Sequence, residues 1–491
     1  MDSLEQYGVL MESLASDPPS ANTKHALTTA SLPSPHPSRS HGAQTTTSRR
    51  RLLVRTAQVA GAMTLSGLPR GGTSTTWTAV AEQLALADQD GKRPANAQSP
   101  TARSVIVLWM QGGPSQLETF DPHPGTMNAA GSQAINTRIP GVQIDQHYPL
   151  LADRFDHVSL VRSVVSKEGD HERATYYLKT GYRPDPTLIH PSLGAILCHQ
   201  LTDEVEIPRH ISILPNSWAA RGGYLGDQFD AFKVGRVGSS IEDVKPRVSE
   251  DRFHRRLEAL QRVVEPTFAQ GRAHNLDANR TLHMASIERA RRMMTSQQLQ
   301  AFEVQREPQA VQRSFGDSDF GRGCLAAARL IDVGVRCVEV TLSGWDTHAA
   351  NHEGHRTQAK ILDSAFASLI DYLRERDKLR STVIVCCGEF GRTPRLNALG
   401  GRDHWPHGFT IALAGGGLAA GQVIGETSPE AGSSDRPPAE LVADPHSVAD
   451  VSATILQALG IDFSSEHTTP IKRPMSFSDG HVISQLISKN S

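Results

Sequence analysis

Two short stretches hold most of the side chains able to do chemistry. SGWDTHAANHEGH (343–355) places Asp346 and His348 two residues apart, so in extended chain both side chains leave on one side. His352 follows His348 by four, which is one helix face if a helix has begun there. A carboxylate with imidazoles after an apolar run is donor chemistry for a divalent metal. The second stretch, GEFGRTPRLNALGGRDHWPHG (388–408), sets Glu389, Arg392, Asp403, His404 and His407 between two apolar runs. Glu389 and His404 are read as ligands of the same ion as Asp346 and His348, and the planar fork of Arg392 suits a substrate anion. Each has an ordinary alternative: a solvated loop histidine, or an arginine in a structural salt bridge.

The elements that must position these groups are legible as alternating runs. SVIVLWM (104–110), DHVSLVRSV (156–164), HISIL (210–214), VRCVEVTL (335–342), STVIVCC (381–387) and FTIALAG (409–415) read as strands. ERATYYLKTG, CLAAARLIDVG, a long segment at 355–379 and HSVADVSATILQALG read as helices between or after them. That rhythm predicts an α/β domain over 104–480 with a mainly parallel sheet flanked by helices. Between 219 and 310 the pattern turns to charged helical segments, which predicts a helical insertion. In a parallel sheet the strand ends carrying Asp346 and Glu389 fall on one edge, where ligands bind.

Composition narrows the function. Fifty basic against 52 acidic residues leave a net charge of −2, so no global field exists to hold nucleic acid. No run reaches the roughly 18 apolar residues of a membrane span. The five cysteines, Cys198, Cys324, Cys337, Cys386 and Cys387, form no CxxC pair and read as small buried hydrophobes. Residues 1–48, rich in Ser, Thr, Pro and His, offer too little apolar surface to order. Then follow Ser48, Arg49 and Arg50 and a weakly apolar stretch from Leu52 to Pro69 broken by Arg55. Residues 49–97 thus resemble a twin-arginine export signal and linker, with small-x-small sites at Ala79–Ala81, Ala85–Ala87 and Ala95–Ala97. A periplasmic or extracellular location follows, with the signal either cleaved or kept as an anchor.

VIVLWMQGGPSQLETFDPHP, GWDTHAAN, GEFGRTP and GRDHW, together with the leader, resemble the bacterial exported family known as domain of unknown function 1501. That family is placed with the alkaline phosphatase and sulfatase superfamily, so the resemblance implies an alkaline-phosphatase-like α/β sandwich and hydrolysis of phosphate or sulfate esters at metal ions. It also implies a role for His171, ten residues before Gly181 in KEGDHERATYYLKTG, where sulfatases carry their nucleophile at a helix start. His171 is the candidate nucleophile, general acid or extra ligand. Where the superfamily's first strand ends in a ligand Asp, this chain has Gln111, a neutral side chain assigned to substrate contact; Phe390 likewise stands where a ligand would be.

Two readings stand. One is an exported metal-dependent ester hydrolase, its ion (Zn, Ca or Mg) held by Asp346, His348, Glu389 and His404, acting on a small-molecule or glycan ester. The other is a non-catalytic binder of metal or sulfated glycan with a degraded site. Replacing both Arg49 and Arg50 by Lys is expected to hold the precursor in the cytoplasm, checked by fractionation and immunoblotting; unchanged export counts against the twin-arginine leader.

Overall fold

A computed structural model describes residues 102–430 and 441–488, apart from 202–204, 219, 239–243, 245–247, 261 and 263–289. The leader at 1–48 and 49–97 lies outside the described residues. The elements that matter below are β1 (Ser104–Gln111), β2 (Val158–Val165), α1 (His171–Thr180), α2 (Leu193–Gln200), β3 (His210–Ile213), β4 (Phe232–Val234) and α3 (Asp319–Asp332). They continue with β5 (Cys337–Ser343), α4 (Asn351–Glu375), β6 (Thr382–Cys387), β7 (Gly391–Arg392), β8 (His404–Trp405), β9 (Phe409–Gly415), β10 (Val423–Ile424), β11 (His446–Ser447) and α5 (Val448–Ala458).

One large sheet runs β10-β2-β9-β6-β1-β5-β3-β4, with β11 also beside β2. Every pairing is parallel except those of β9, which is antiparallel to both β6 and β2. The connections explain this. Crossing from β5 to β6 takes the 25-residue helix α4, whereas β6 reaches β9 without a helix and so returns in the opposite direction. The mainly parallel α/β sheet is therefore the one expected. The stretch at 219–310 differs in part, because β4 joins the sheet edge beside β3 before the helix Glu250–Ala259 begins.

The central strand is buried on both faces, as its unbroken apolar run requires. Ile106, Leu108 and Met110 enter a core with Phe320, Leu325, Leu362 and Phe366 of α3 and α4. Val105 and Trp109 point the other way, into a core with Leu197 of α2 and Val451 and Ile455 of α5. All five cysteines are buried and unpaired. Among the described residues no helix is long and apolar enough to cross a membrane.

The loops above β1 and β5 press together closely enough to dictate glycine. Gly112 has φ +119°, and a Cβ there would lie 2.4 Å from the Asp346 amide nitrogen. A Cβ on Gly401 would lie 2.0 Å from the His348 carbonyl. His355, in the first turns of α4, braces this region. Its Nε2 accepts from the Ser115 amide at 2.8 Å, and its Nδ1 faces the Asn351 carbonyl at 3.0 Å. A ring that donates at one nitrogen and accepts at the other is neutral, and burial pushes its pKa down to about 4.

An imidazole held neutral in the fold but free to charge when unfolded loses stability as pH falls. The loss begins near the unfolded value of about 6.5 and levels off near the folded one. Between those limits the His355 contribution is about 3 kcal/mol. Urea unfolding of the wild type and His355→Gln at pH 7 and pH 4.5 should show a steeper acid loss in the wild type; parallel losses would contradict this role.

Candidate metal centre

The parallel pairing of β1 with β5 and β6 sets Gln111 opposite Ser343 and Trp109 opposite Cys387. The chain leaving β5 therefore delivers Asp346 and His348 beside Glu389, which follows β6. β2 runs the same way, so the residues after it bring His171 to the same edge as the first residue of α1. The N-cap Asp170 starts that helix by accepting from the Arg173 amide, and Gly181 in left-handed conformation ends it. Between β6 and β9 the loop folds into a two-stranded ribbon in which His404 pairs with Arg392. Backbone bonds from Arg402 to Thr347 (3.0 Å), from Ala350 to Leu399 (3.2 Å) and from Asn351 to Gly400 (2.9 Å) sew this loop to the β5–α4 loop.

Two imidazoles are turned by partners at their outer nitrogens. His404 Nδ1 donates to the Gly169 carbonyl at 2.8 Å, and His348 Nδ1 lies 2.8 Å from Asp403 Oδ1. A ring protonated at Nδ1 alone aims a lone pair inward from Nε2. These Nε2 atoms lie 3.1 Å apart, and Asp346 Oδ1 lies 3.1 Å from that of His348 and 3.4 Å from that of His404. Burial lowers the pKa of His404, which disfavours a shared proton as the bridge. Three electron-pair donors facing one another could hold a cation. A tetrahedral ion with bonds of about 2.0 Å has ligand–ligand edges of about 3.3 Å, close to the triangle found.

His171 completes the cluster from the other side. Its Nδ1 lies 2.8 Å from Glu389 Oε1 and its Nε2 3.3 Å from Asp346 Oδ2. His171, Asp346 and His404 offer ligand atoms all within 4.8 Å of one another. The hydrogen bond to Glu389 raises the His171 pKa against burial. Burial pushes Asp346 up, but the hydrogen bond and charge of Arg392 overcome it and hold the carboxyl below its ordinary value.

Asp346, His348 and His404 thus meet, with His171 beside them. Glu389 is fully buried and gives Oε1 to His171 and to the Gly112 amide at 2.9 Å, while its Oε2 has no hydrogen-bond partner. Arg392 is also fully buried and donates to the carbonyls of Gly112, Gly113 and Arg402 as well as to Asp346. Gln111 Oε1 accepts from the Ser343 hydroxyl at 2.9 Å. His352 turns away to Ser132 and Glu118, and His407 packs edge-on to Trp405.

Sequence reasoning assigned no role to Asp403 as the partner of His348, to the Gly169 carbonyl, or to the pair formed by Arg402 and Glu118 at 2.6 Å. The neighbourhood of Asp403 to His404 was a usable signal. A main-chain carbonyl and a carboxylate nearly three hundred residues from its arginine give none.

The profile of the family described as "Protein of unknown function (DUF1501)" matches residues 102–487. Among curated proteins none matches the sequence. Solved structures similar to this chain include Ps i-CgsB in complex with k-i-k-neocarrahexaose, at 10% identity over 74% of this chain and 72% of that one, with TM-score 0.37. The PsFucS1 sulfatase from Pseudoalteromonas sp. is 13% identical over 79% and 71%, with TM-score 0.34. A TAB5 alkaline phosphatase mutant with Mg bound in its M3 site is 13% identical over 74% and 100%, with TM-score 0.34. At these TM-scores the overlaps are loose, and no residue role is carried across from them.

Carboxylates that orient a ligating histidine are worth about 10- to 100-fold in metal affinity. Asp403→Asn is accordingly expected to weaken zinc binding by about that factor, with His407→Ala at wild-type affinity, both read by competition with a fluorescent chelator. Equal affinities for wild type and Asp403→Asn would remove Asp403 from the centre.

Proposed function

The chain belongs to the DUF1501 family, and on that premise we propose that it is an exported hydrolase that cuts phosphate or sulfate esters with a bound divalent metal ion. The observation that carries the reading is the triangle of His348 Nε2, His404 Nε2 and Asp346 Oδ1 with edges of 3.1 to 3.4 Å. Two imidazoles and one carboxylate form a donor set that suits zinc better than calcium or magnesium, which take mostly oxygen. A divalent ion supplies Lewis acidity toward a phosphoryl or sulfuryl oxygen.

The chain's own groups account for the rest. Asp403 and the Gly169 carbonyl fix the two ligand tautomers. Glu389 orients His171 and favours its charged form, so His171 holds a proton at Nε2 that the leaving oxygen needs as its bond breaks. The start of α1 adds a positive dipole end beside that position. Export is supported by the Arg49–Arg50 pair, and the substrate class, a small-molecule or glycan ester, by the motif resemblance.

One observation favours the alternative, a protein that holds metal or a sulfated glycan without turnover. Arg392, the cation nearest Asp346, spends its donors on main-chain carbonyls and is fully buried, so it is not free to grip an ester anion. Metal content of the purified protein, measured beside turnover of aryl phosphates and aryl sulfates, separates the two. The hydrolase reading expects stoichiometric metal and hydrolysis that a chelator abolishes. Bound metal with no turnover selects the binding protein, and absence of metal defeats the hydrolase and leaves only the sulfated-glycan binder.

A further inference from the structure

Arg392 has an environment unlike that of a surface or substrate-facing arginine. Its Nε donates to Gly113 O at 2.7 Å and its Nη1 to Arg402 O at 2.9 Å. Its Nη2 donates to Gly112 O and to Asp346 Oδ1, the latter at 2.5 Å. The backbone of Arg392 is pinned as well: its amide donates to Gln116 Oε1 at 3.0 Å, and Gln116 Nε2 returns a bond to its carbonyl at 2.9 Å. Four oxygens from three separate segments, the loops after β1, β5 and β6, therefore surround one planar cation. Such an oxygen set is what a hard cation would collect. The guanidinium fills it with directed donors, which the point charge of a lysine could not reach together.

The oxygen it grips on Asp346 is the same Oδ1 that faces His348 and His404. Arg392 thus sets one corner of the proposed metal triangle while its other donors hold the loops in place. The local charges fit this role. Three carboxylates converge here, on Asp346, Glu389 and Asp403, against the one guanidinium of Arg392. Glu389 is paired with His171, so Asp346 and Asp403 are the carboxylates left facing the guanidinium and the proposed ion.

We propose that Arg392 is a positioning residue, a built-in permanent cation that orients Asp346 and limits the centre to one exchangeable ion. The inference rests on the metal-binding reading above. It departs from the assignment of Arg392 to substrate, because a buried fork with four N–H groups engaged acts through Asp346.

The test uses the purified wild type, Arg392→Ala and Arg392→Lys, with zinc as the probe. Zinc stoichiometry is read by mass spectrometry and affinity by chelator competition, with and without guanidinium at a non-denaturing concentration. The wild type should bind one ion per chain. Arg392→Ala should lose about tenfold or more in affinity and regain most of it when guanidinium fills the vacated cradle. Arg392→Lys should be weakened and not rescued, since its stem blocks the cradle without supplying the fork.

Wild-type affinity in Arg392→Ala, or a loss that guanidinium does not repair, overturns the proposal. If Arg392→Ala does not fold, Arg392→Lys decides, and wild-type affinity there overturns it equally. A wild type that binds no zinc defeats the metal reading instead and moves the decision to the melting temperature. Guanidinium that raises the Tm of Arg392→Ala but not of the wild type upholds the fixed cation, and no selective rise overturns it.

Discussion

The pairing of β1 between β5 and β6 is the constraint on which the other features depend. β1 alternates its side chains between two cores, Ile106, Leu108 and Met110 on one side and Val105 and Trp109 on the other. A slip of one residue would exchange these sets and destroy the packing on both faces. The same register carries Gly112 and Gly113 to the point where Arg392 can reach their carbonyls, and it brings Asp346 level with Glu389. Apolar packing in the strands thereby fixes polar geometry several residues beyond their ends.

Above the sheet edge the adhesive changes from apolar contact to hydrogen bonds. Two fully buried arginines ten residues apart, Arg392 and Arg402, organise the β6–β9 loop, and the side chain of the first donates to the carbonyl of the second. Arg402 pairs with the buried Glu118 and also donates to Asn128 O at 2.8 Å. Burial pushes Glu118 up, but the charge of Arg402 holds its carboxyl below the ordinary value. Buried ion pairs of this kind add little net stability after desolvation. What they supply here is a single arrangement of a loop whose buried apolar side chains, Phe390 and Trp405, stand at its two ends.

The strands and the convergence of Asp346, His348 and His404 were legible because hydrophobic runs mark strands, and the polar residues just past their ends must share an edge; His171 came from the family resemblance instead. The reversed direction of β9 was not, since direction depends on how the connection packs and not on the strand's composition. Glu389 and Arg392 show a second limit. Both occupy positions after β6 where a side chain could face a ligand, yet both are buried, one bonded to His171 and the other to carbonyls of neighbouring loops. Local sequence gives the type of a charged residue but not whether a distant main-chain oxygen is waiting for it. The β4 edge strand, inside the stretch at 219–310, was hidden for a related reason: three residues that pair only with β3 leave little periodic signal.

The reversal of β9 has a consequence for how this centre can change. Because β6 and β9 are hydrogen-bonded neighbours of opposite direction, the loop from 388 to 408 starts and finishes one strand spacing apart, about 4.8 Å. Glu389, Arg392, Asp403 and His404 all ride on it, as does Arg402. The loop is therefore a cassette: it could be exchanged as a block between relatives without rethreading the sheet, carrying half of a centre together with much of its own scaffolding. What it must find on the recipient is short and specific: two glycines after the first strand, a carboxylate to receive Arg402, and an aspartate and histidine after the strand on the far side.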